Sequence, residues 1–168
     1  MVWPLRRRRK LPGEIRAQLD QSRPERVLAS AASDAGWAVA TTGYLNVLPA
    51  AGPLTRRPWS DVAGARVDAE TAELTITWVD ASAPTVVRLG DAPGDFPRTV
   101  RRCVASSILL SERVRIGGSD VRVVLRRGPD GGLLTQVLGT GDVDLADPAT
   151  AALVDAAEAR VRETAGLR

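Results

Sequence analysis

Residues 57–77 read RPWSDVAGARVDAETAELTIT. The stretch contains an aromatic at a strand mouth, a strand, a tight turn and a second strand. Val62, Gly64, Arg66 and Asp68 are expected on one side of the first strand, and Ala63, Ala65 and Val67 on the other. Asp68 to Ala72 reads as a turn, because an aspartate side chain bonds the backbone two residues on. Leu74, Ile76 and Trp78 then alternate with Thr75, Thr77 and Val79. A period of two in β-branched residues is the pattern of a half-buried strand. A lone hairpin is marginal in water, so its apolar side needs further strands or a helix.

The flanking chain supplies both. Upstream, Leu11 to Leu19 predicts a short helix with Pro12 in its first turn and Ile15 and Leu19 on one face. Glu25 to Ala31 is a strand, Asp34 to Gly36 a turn, and Trp37–Thr41 and Tyr44–Leu48 a hairpin around Thr42 and Gly43. Pro49 to Pro53 breaks the pattern, and Leu54 to Arg57 leads into the Trp59 strand. Downstream, Thr85 to Leu89 is a strand. Asp91 to Asp95 opens a helix over Phe96 to Ser111, with Pro97 tolerated in its first turn. Phe96, Val100, Cys103, Val104, Ser107 and Ile108 share its apolar face, and Arg98, Arg101, Arg102 and Ala105 the other. Val121–Arg126 and Leu133–Leu138 flank a Gly-Pro-Asp-Gly-Gly turn at 128–132. Asp147 and Pro148 suit the N-cap and first position of a last helix. Leu153, Val154, Ala157 and Val161 form its apolar side, with Glu158 and Arg162 as an exposed i,i+4 pair.

Composition narrows the class. Apolar residues make up 44% and charged residues 26% of the 168, which fits an ordinary globule with a real core. The formal charge of +3 is concentrated at one end. Arg6, Arg7, Arg8, Arg9 and Lys10 stand in the first ten residues without an acid, leaving 18 cations against 20 acids in the rest. A nucleic-acid-binding fold usually carries its charge on the folded face instead. One cysteine, Cys103, permits no internal disulfide and suggests a reducing compartment. The basic start lacks the apolar segment of a signal peptide, and no run reaches the roughly 18 apolar residues of a membrane span. A cytoplasmic location is the expectation, with peripheral membrane contact as its variant.

The strands from Glu25 to Leu89, closed by the helix from Phe96, resemble a bacterial pleckstrin-homology-like (PH-like) domain. The residues that carry the resemblance are Trp37-Ala-Val-Ala-Thr-Thr-Gly-Tyr-Leu45 and Pro58-Trp-Ser-Asp-Val62. The whole chain also looks like a set of uncharacterised actinobacterial proteins with an arginine-rich start and an Ile108-Leu-Leu-Ser111 helix end. The resemblance covers roughly residues 20–112. It implies an α+β chain: a PH-like antiparallel β-sandwich or barrel of about seven strands closed by an amphipathic helix, plus an additional β-hairpin and C-terminal helix. The expected divisions are a basic tail at 1–10, a PH-like domain at 11–112, and a hairpin with C-terminal helix at 113–168. The family's known role is phosphoinositide binding through basic residues in the loop joining its first two strands. Here that loop, Ala31 to Gly36, holds Asp34 and no cation. The fold by itself implies only an interaction domain.

Much chemistry is excluded by residue type. There is no histidine, which removes Ser-His-Asp and Cys-His nucleophile activation. The single lysine lies in the basic tail, away from any buried Schiff-base position. No Walker loop and no GxGxxG after a strand occurs. Gly117-Gly118 and Gly131-Gly132 read as turns, since no helix N-terminus follows to hold a phosphate. Cys103, on an apolar helix face, reads as a small core residue. Asp142, Asp144 and Asp147 lack the EF-hand spacing and read as loop solvation and a helix cap. Trp37, Trp59 and Trp78 read as core or strand-end packing. No catalytic residue, cofactor or metal is expected. The remaining candidates are anion-binding: Arg6, Arg7, Arg8, Arg9 and Lys10, extended by Arg98, Arg101 and Arg102 if the tail lies near their helix. Near anionic lipid each such cation is worth about 1 kcal/mol, and contact with RNA or DNA through them would be salt-dependent and non-specific. The expected function is non-enzymatic: an interaction domain binding a protein partner or itself through a strand edge or the C-terminal elements. The alternative is peripheral binding to anionic lipid or nucleic acid through residues 3–10.

Overall fold

The computed structural model describes residues 10–20, 25–33, 35–90, 94–139 and 143–167. Arg6–Arg9, Asp34, Asp91 and Asp142 lie outside the described residues. Those that are described form an α+β protein with three antiparallel sheets and three helices, and no closed barrel. By contact the chain divides into two compact units, Met1–Val104 and Ala105–Arg168. No helix among the described residues is long and apolar enough to cross a membrane.

In the first unit, α1 (Gly13–Asp20) precedes a four-stranded sheet of β1 (Val27–Ser33), β2 (Gly36–Thr41), β3 (Tyr44–Pro49) and β4 (Thr55–Pro58), in that spatial order. A 3-10 turn at Trp59–Asp61 leads to β5 (Val62–Asp68), β6 (Glu73–Trp78) and β7 (Thr85–Arg88), which form a three-stranded sheet. Helix α2 (Phe96–Ser107) follows. One buried cluster draws on all three elements: Ala38 and Ala40 of β2, Leu74, Ile76 and Trp78 of β6, and Phe96, Val100 and Cys103 of α2. A second, smaller cluster lies on the other side of β2, where Leu19 and Ile15 of α1 meet Val39 and Leu48. The alternation Ala38-Val39-Ala40 thus sends neighbouring residues to two different cores.

Three expectations for this unit need correction. Leu54 to Arg57 is not a lead-in: Thr55–Pro58 pairs with β3 as an edge strand, its arginines too polar to signal one. Trp59 opens a 3-10 turn rather than a strand. Within β5 the sides are not strictly alternating, because the register shifts between Val62 and Gly64. The extra residue, Ala63, makes a bulge and brings Val62, Ala65 and Val67 to the same core. Gly64, Arg66 and Asp68 take the opposite side.

In the second unit, β8 (Ile108–Ile116), β9 (Ser119–Arg127) and β10 (Leu133–Gly139) form a meander in the order β10-β9-β8. Helix α3 (Pro148–Thr164) packs on it. Val154, Ala157 and Val161 meet Val121, Val123 and Leu125 of β9. Asp147 caps α3, its carboxylate accepting from Thr150 N–H at 2.8 Å. Three corrections belong here. The helix expected over 96–111 ends at Ser107, and Ile108-Leu-Leu-Ser111 begins a nine-residue strand. Its residues alternate between half-buried and exposed to Ile116, so the additional hairpin is a three-stranded sheet. The expected apolar side of α3 is also too wide. Leu153 is 48% exposed, lying off the Thr150–Val154–Ala157–Val161 line that is buried. The ion pair on α3 joins Arg160 to Glu112 of β8 at 2.6 Å, not Arg162 to Glu158.

Gly36 tests the first sheet most sharply. Its φ is +126°, and an ideal Cβ there would lie 2.1 Å from the Leu48 carbonyl oxygen and 2.8 Å from Ala50 N. Both atoms are backbone, so neither side-chain rotation nor a small shift relieves the clash. Gly36→Ala should destabilise the protein by about 3 kcal/mol or more. Urea denaturation measures it, and a change within about 0.5 kcal/mol would contradict the geometry.

Candidate functional site

Helix α2 divides its residues cleanly. Phe96, Thr99, Val100, Cys103 and Ser107 are buried, and Arg98, Arg101, Arg102, Ala105 and Ser106 are exposed. Spacings of three and four residues place the three arginines on one face. None of the three is held by a carboxylate among the described residues. Lys10, the one described member of the basic tail, is exposed just ahead of α1. It does not join the α2 arginines: α1 packs on the Val39 side of β2 and α2 on the side of Ala38 and Ala40. Arg6, Arg7, Arg8 and Arg9 lie outside the described residues.

Three other charged groups of the first unit, Glu25, Arg56 and Arg57, are spent on structure. Glu25, just before β1, accepts from the Thr41 hydroxyl and from Gly43 N–H at 3.1 Å, and faces Arg56 at 3.8 Å. The Arg56 guanidinium lies over the Tyr44 ring, 4.0 Å from its centroid. Arg57 bonds Asp80 at 2.7 Å and the Ser82 hydroxyl at 3.0 Å, and pairs with Asp61 at 3.3 Å. Its guanidinium covers the Trp78 ring at 4.2 Å. Burial pulls the Arg57 pKa down, but its bonds to Asp80 and Asp61 outweigh that and leave it raised. Two of the acids these arginines meet, Glu25 and Asp80, lie 31 and 23 positions away, and the third, Asp61, lies across the 3-10 turn, so no local pattern announces them. An exposed surface cation and a paired one look alike in the sequence.

Cys103 is buried in the core, and burial pushes its thiol pKa up against the opposing pull of Arg102. That makes it an inert packing residue, as its helical position implies. Asp144 accepts from Ala146 N–H at 2.9 Å and Asp147 caps α3, so both work as loop and helix caps. No cluster of three or more metal-ligating side chains occurs among the described residues. Trp59 and Trp78 are buried and Trp37 is half-buried. A shallow depression of about 460 Å³ near the end of α3 is lined by Asp155, Glu158, Ala159, Arg162 and Leu167. Asp155 and Arg162 there are exposed and Glu158 is half-buried. Comparison of the chain with protein-family models, with curated proteins and with solved structures finds no match.

The Asp80 contact has a definite pH signature. Bonds from Ser82 and Arg57 lower its pKa from 3.8 to about 2. A group whose folded pKa is depressed contributes above its unfolded value and stops contributing as pH falls through the folded one. Asp80→Asn should therefore lower the urea midpoint at pH 6 and converge with the wild type as pH drops from about 4 to about 2. A gap that persists unchanged at pH 2 would show that the effect is not the carboxylate's charge.

Proposed function

We propose that this chain is a non-enzymatic PH-like interaction domain that binds a protein partner, with an acidic surface docking on α2. The observation that carries this reading is the division of α2. Its apolar face enters the core shared by the four- and three-stranded sheets, while Arg98, Arg101 and Arg102 are exposed and, among the described residues, without carboxylate partners. Four strands, then three, then one amphipathic helix is the element order of a PH-like sandwich. A helix serving only to close the sheets needs no cation cluster on its outer side; a helix that also steers an acidic partner does. In this reading the protein works in the cytoplasm. A second reading has the tail, residues 3–10, hold the protein at anionic lipid or nucleic acid. The exposed position of Lys10 favours it, since the last tail cation is not consumed by the fold.

The test is affinity capture from the native lysate at low and moderately high salt. It compares the full chain, a chain lacking residues 1–10, and the variant R98E/R101E/R102E. A discrete protein held by the first two and lost at least about tenfold from the third is the expected result. Equal retention by the charge-reversed variant would remove α2 from the function. Recovery of RNA or lipid by the full chain alone, at low salt only, would move function to the tail.

A further inference from the structure

The second unit carries a separate basic surface. Between residues 105 and 168 there are eight arginines, and five of them, Arg113, Arg115, Arg122, Arg126 and Arg127, lie on β8 and β9. The side of the sheet facing α3 holds Leu110, Val114, Ile116, Val121, Val123 and Leu125. By alternation Arg113 and Arg115 of β8, and Arg122 and Arg126 of β9, point to the opposite side. That side is closed at Val124 and Arg126, which are fully buried, and open at Arg113 and Arg115. Arg113 stands directly across from Arg122 in the ladder. Like charges at directly opposed positions destabilise a sheet. Among the described residues no ion pair joins Arg113, Arg115 or Arg122 to a carboxylate, and the one acid across the ladder from them is Asp120, opposite Arg115 near the open end of the hairpin turn. Glu112, the acid of β8, faces α3 and is held by Arg160 at 2.9 and 2.6 Å.

The same strand is a sheet edge. β8 is nine residues long and, among the described residues, pairs on one side only, with β9. An edge of that length offers a row of backbone donors and acceptors to any strand that fits. We propose that the β8 edge binds an extended acidic peptide segment by strand addition. Arg113 and Arg115 would select carboxylates at alternate positions of that peptide. Side chains two apart on a strand are roughly 7 Å apart in both partners, so the pitches match. The intervening peptide residue falls on the Val114 side and should be apolar or β-branched. The recognised pattern is thus acid, apolar, acid.

Competing occupants fit less well. A second copy of the chain, paired edge to edge, would set this arginine row against itself. Single-stranded nucleic acid is gripped by stacking as well as by charge, and residues 105–168 contain no Phe, Trp or Tyr. A lipid surface would find one large exposed apolar side chain on β8, Leu109. This site stands whether or not α2 docks a partner.

The experiment uses the full chain and a dye-labelled synthetic peptide in which glutamate alternates with valine over the nine-residue length of β8. A control peptide has the same composition with its glutamates in one block. Binding is followed by fluorescence anisotropy, and amide hydrogen exchange locates it. The alternating peptide should bind more tightly than the control and protect amides between 109 and 115. R113A/R115A should weaken it roughly tenfold, R113K/R115K far less, and R98E/R101E/R102E not at all. Circular dichroism checks that each variant is folded. Equal binding of the two peptides, binding without new protection in β8, or tighter binding of polyuridylate or phosphatidylserine vesicles at the same arginines would overturn the proposal.

Discussion

Trp59 is the side chain on which the first unit depends. It sits at the point where the chain leaves the four-stranded sheet and enters the three-stranded one, and it is 4% exposed. Its indole N–H donates to the Thr41 carbonyl at 3.0 Å, and its backbone N–H donates to the Gly43 carbonyl at 3.2 Å. Both acceptors belong to the end of β2 and its turn. The ring meanwhile joins the core that the two sheets share with α2. Loss of a buried Trp ring typically costs about 3–5 kcal/mol, against roughly 1 kcal/mol net for one hydrogen bond. Packing therefore dominates, and the two bonds set where the packing happens. Glu25 reinforces the same turn from the other direction by bonding Thr41 and Gly43. One short turn, Thr42-Gly43, is thereby gripped by a residue 16 to 18 positions upstream and by another the same distance downstream.

Legibility follows the range of the forces involved. The β2–β3 hairpin, the alternation of Leu74, Ile76 and Trp78, and the cap and proline at the start of α3 are local signals and were readable. So was the face of α2 that carries its arginines, since helical spacing alone decides it. The bulge at Ala63 was not, because an inserted residue is defined by the partner strand and leaves the bulged strand's own pattern nearly unchanged. Ile108 misled for a related reason. It continues the apolar face of α2 by position, yet it begins a strand whose alternation is clear only when read through to Ile116. Tertiary pairing overrides local periodicity at such a junction. Whether a surface arginine is free or engaged was illegible throughout. Arg56 and Arg57 are consumed by Glu25, Asp61 and Asp80, while Arg98 and Arg101 are not.

The two units use arginine in different ways. In the first, guanidinium planes cover aromatic rings while their edges meet carboxylates, which suits a flat, delocalised cation. In the second there is no ring to cover, and the strand arginines stand in rows. Apart from Asp120, opposite Arg115, several of the unit's acids serve elsewhere, in the cap of α3, the turn after β9 and the pair with Arg160. The net charge of a segment therefore says little about its surface. A nearly balanced composition becomes a mostly basic strand face when opposite charges are drawn off to the other face, to helix caps and to turns.

The distribution of rings also makes the two units optically unlike. All four tryptophans, the tyrosine and the phenylalanine precede residue 105. Intrinsic fluorescence and near-ultraviolet absorbance carry chromophores from the first unit only. Far-ultraviolet circular dichroism records the backbone of both, including β8–β10 and α3. A denaturation curve followed by tryptophan emission is thus a selective record of one unit. Whether the two units melt as a single cooperative body is a question that the chain's own chromophores are already placed to answer.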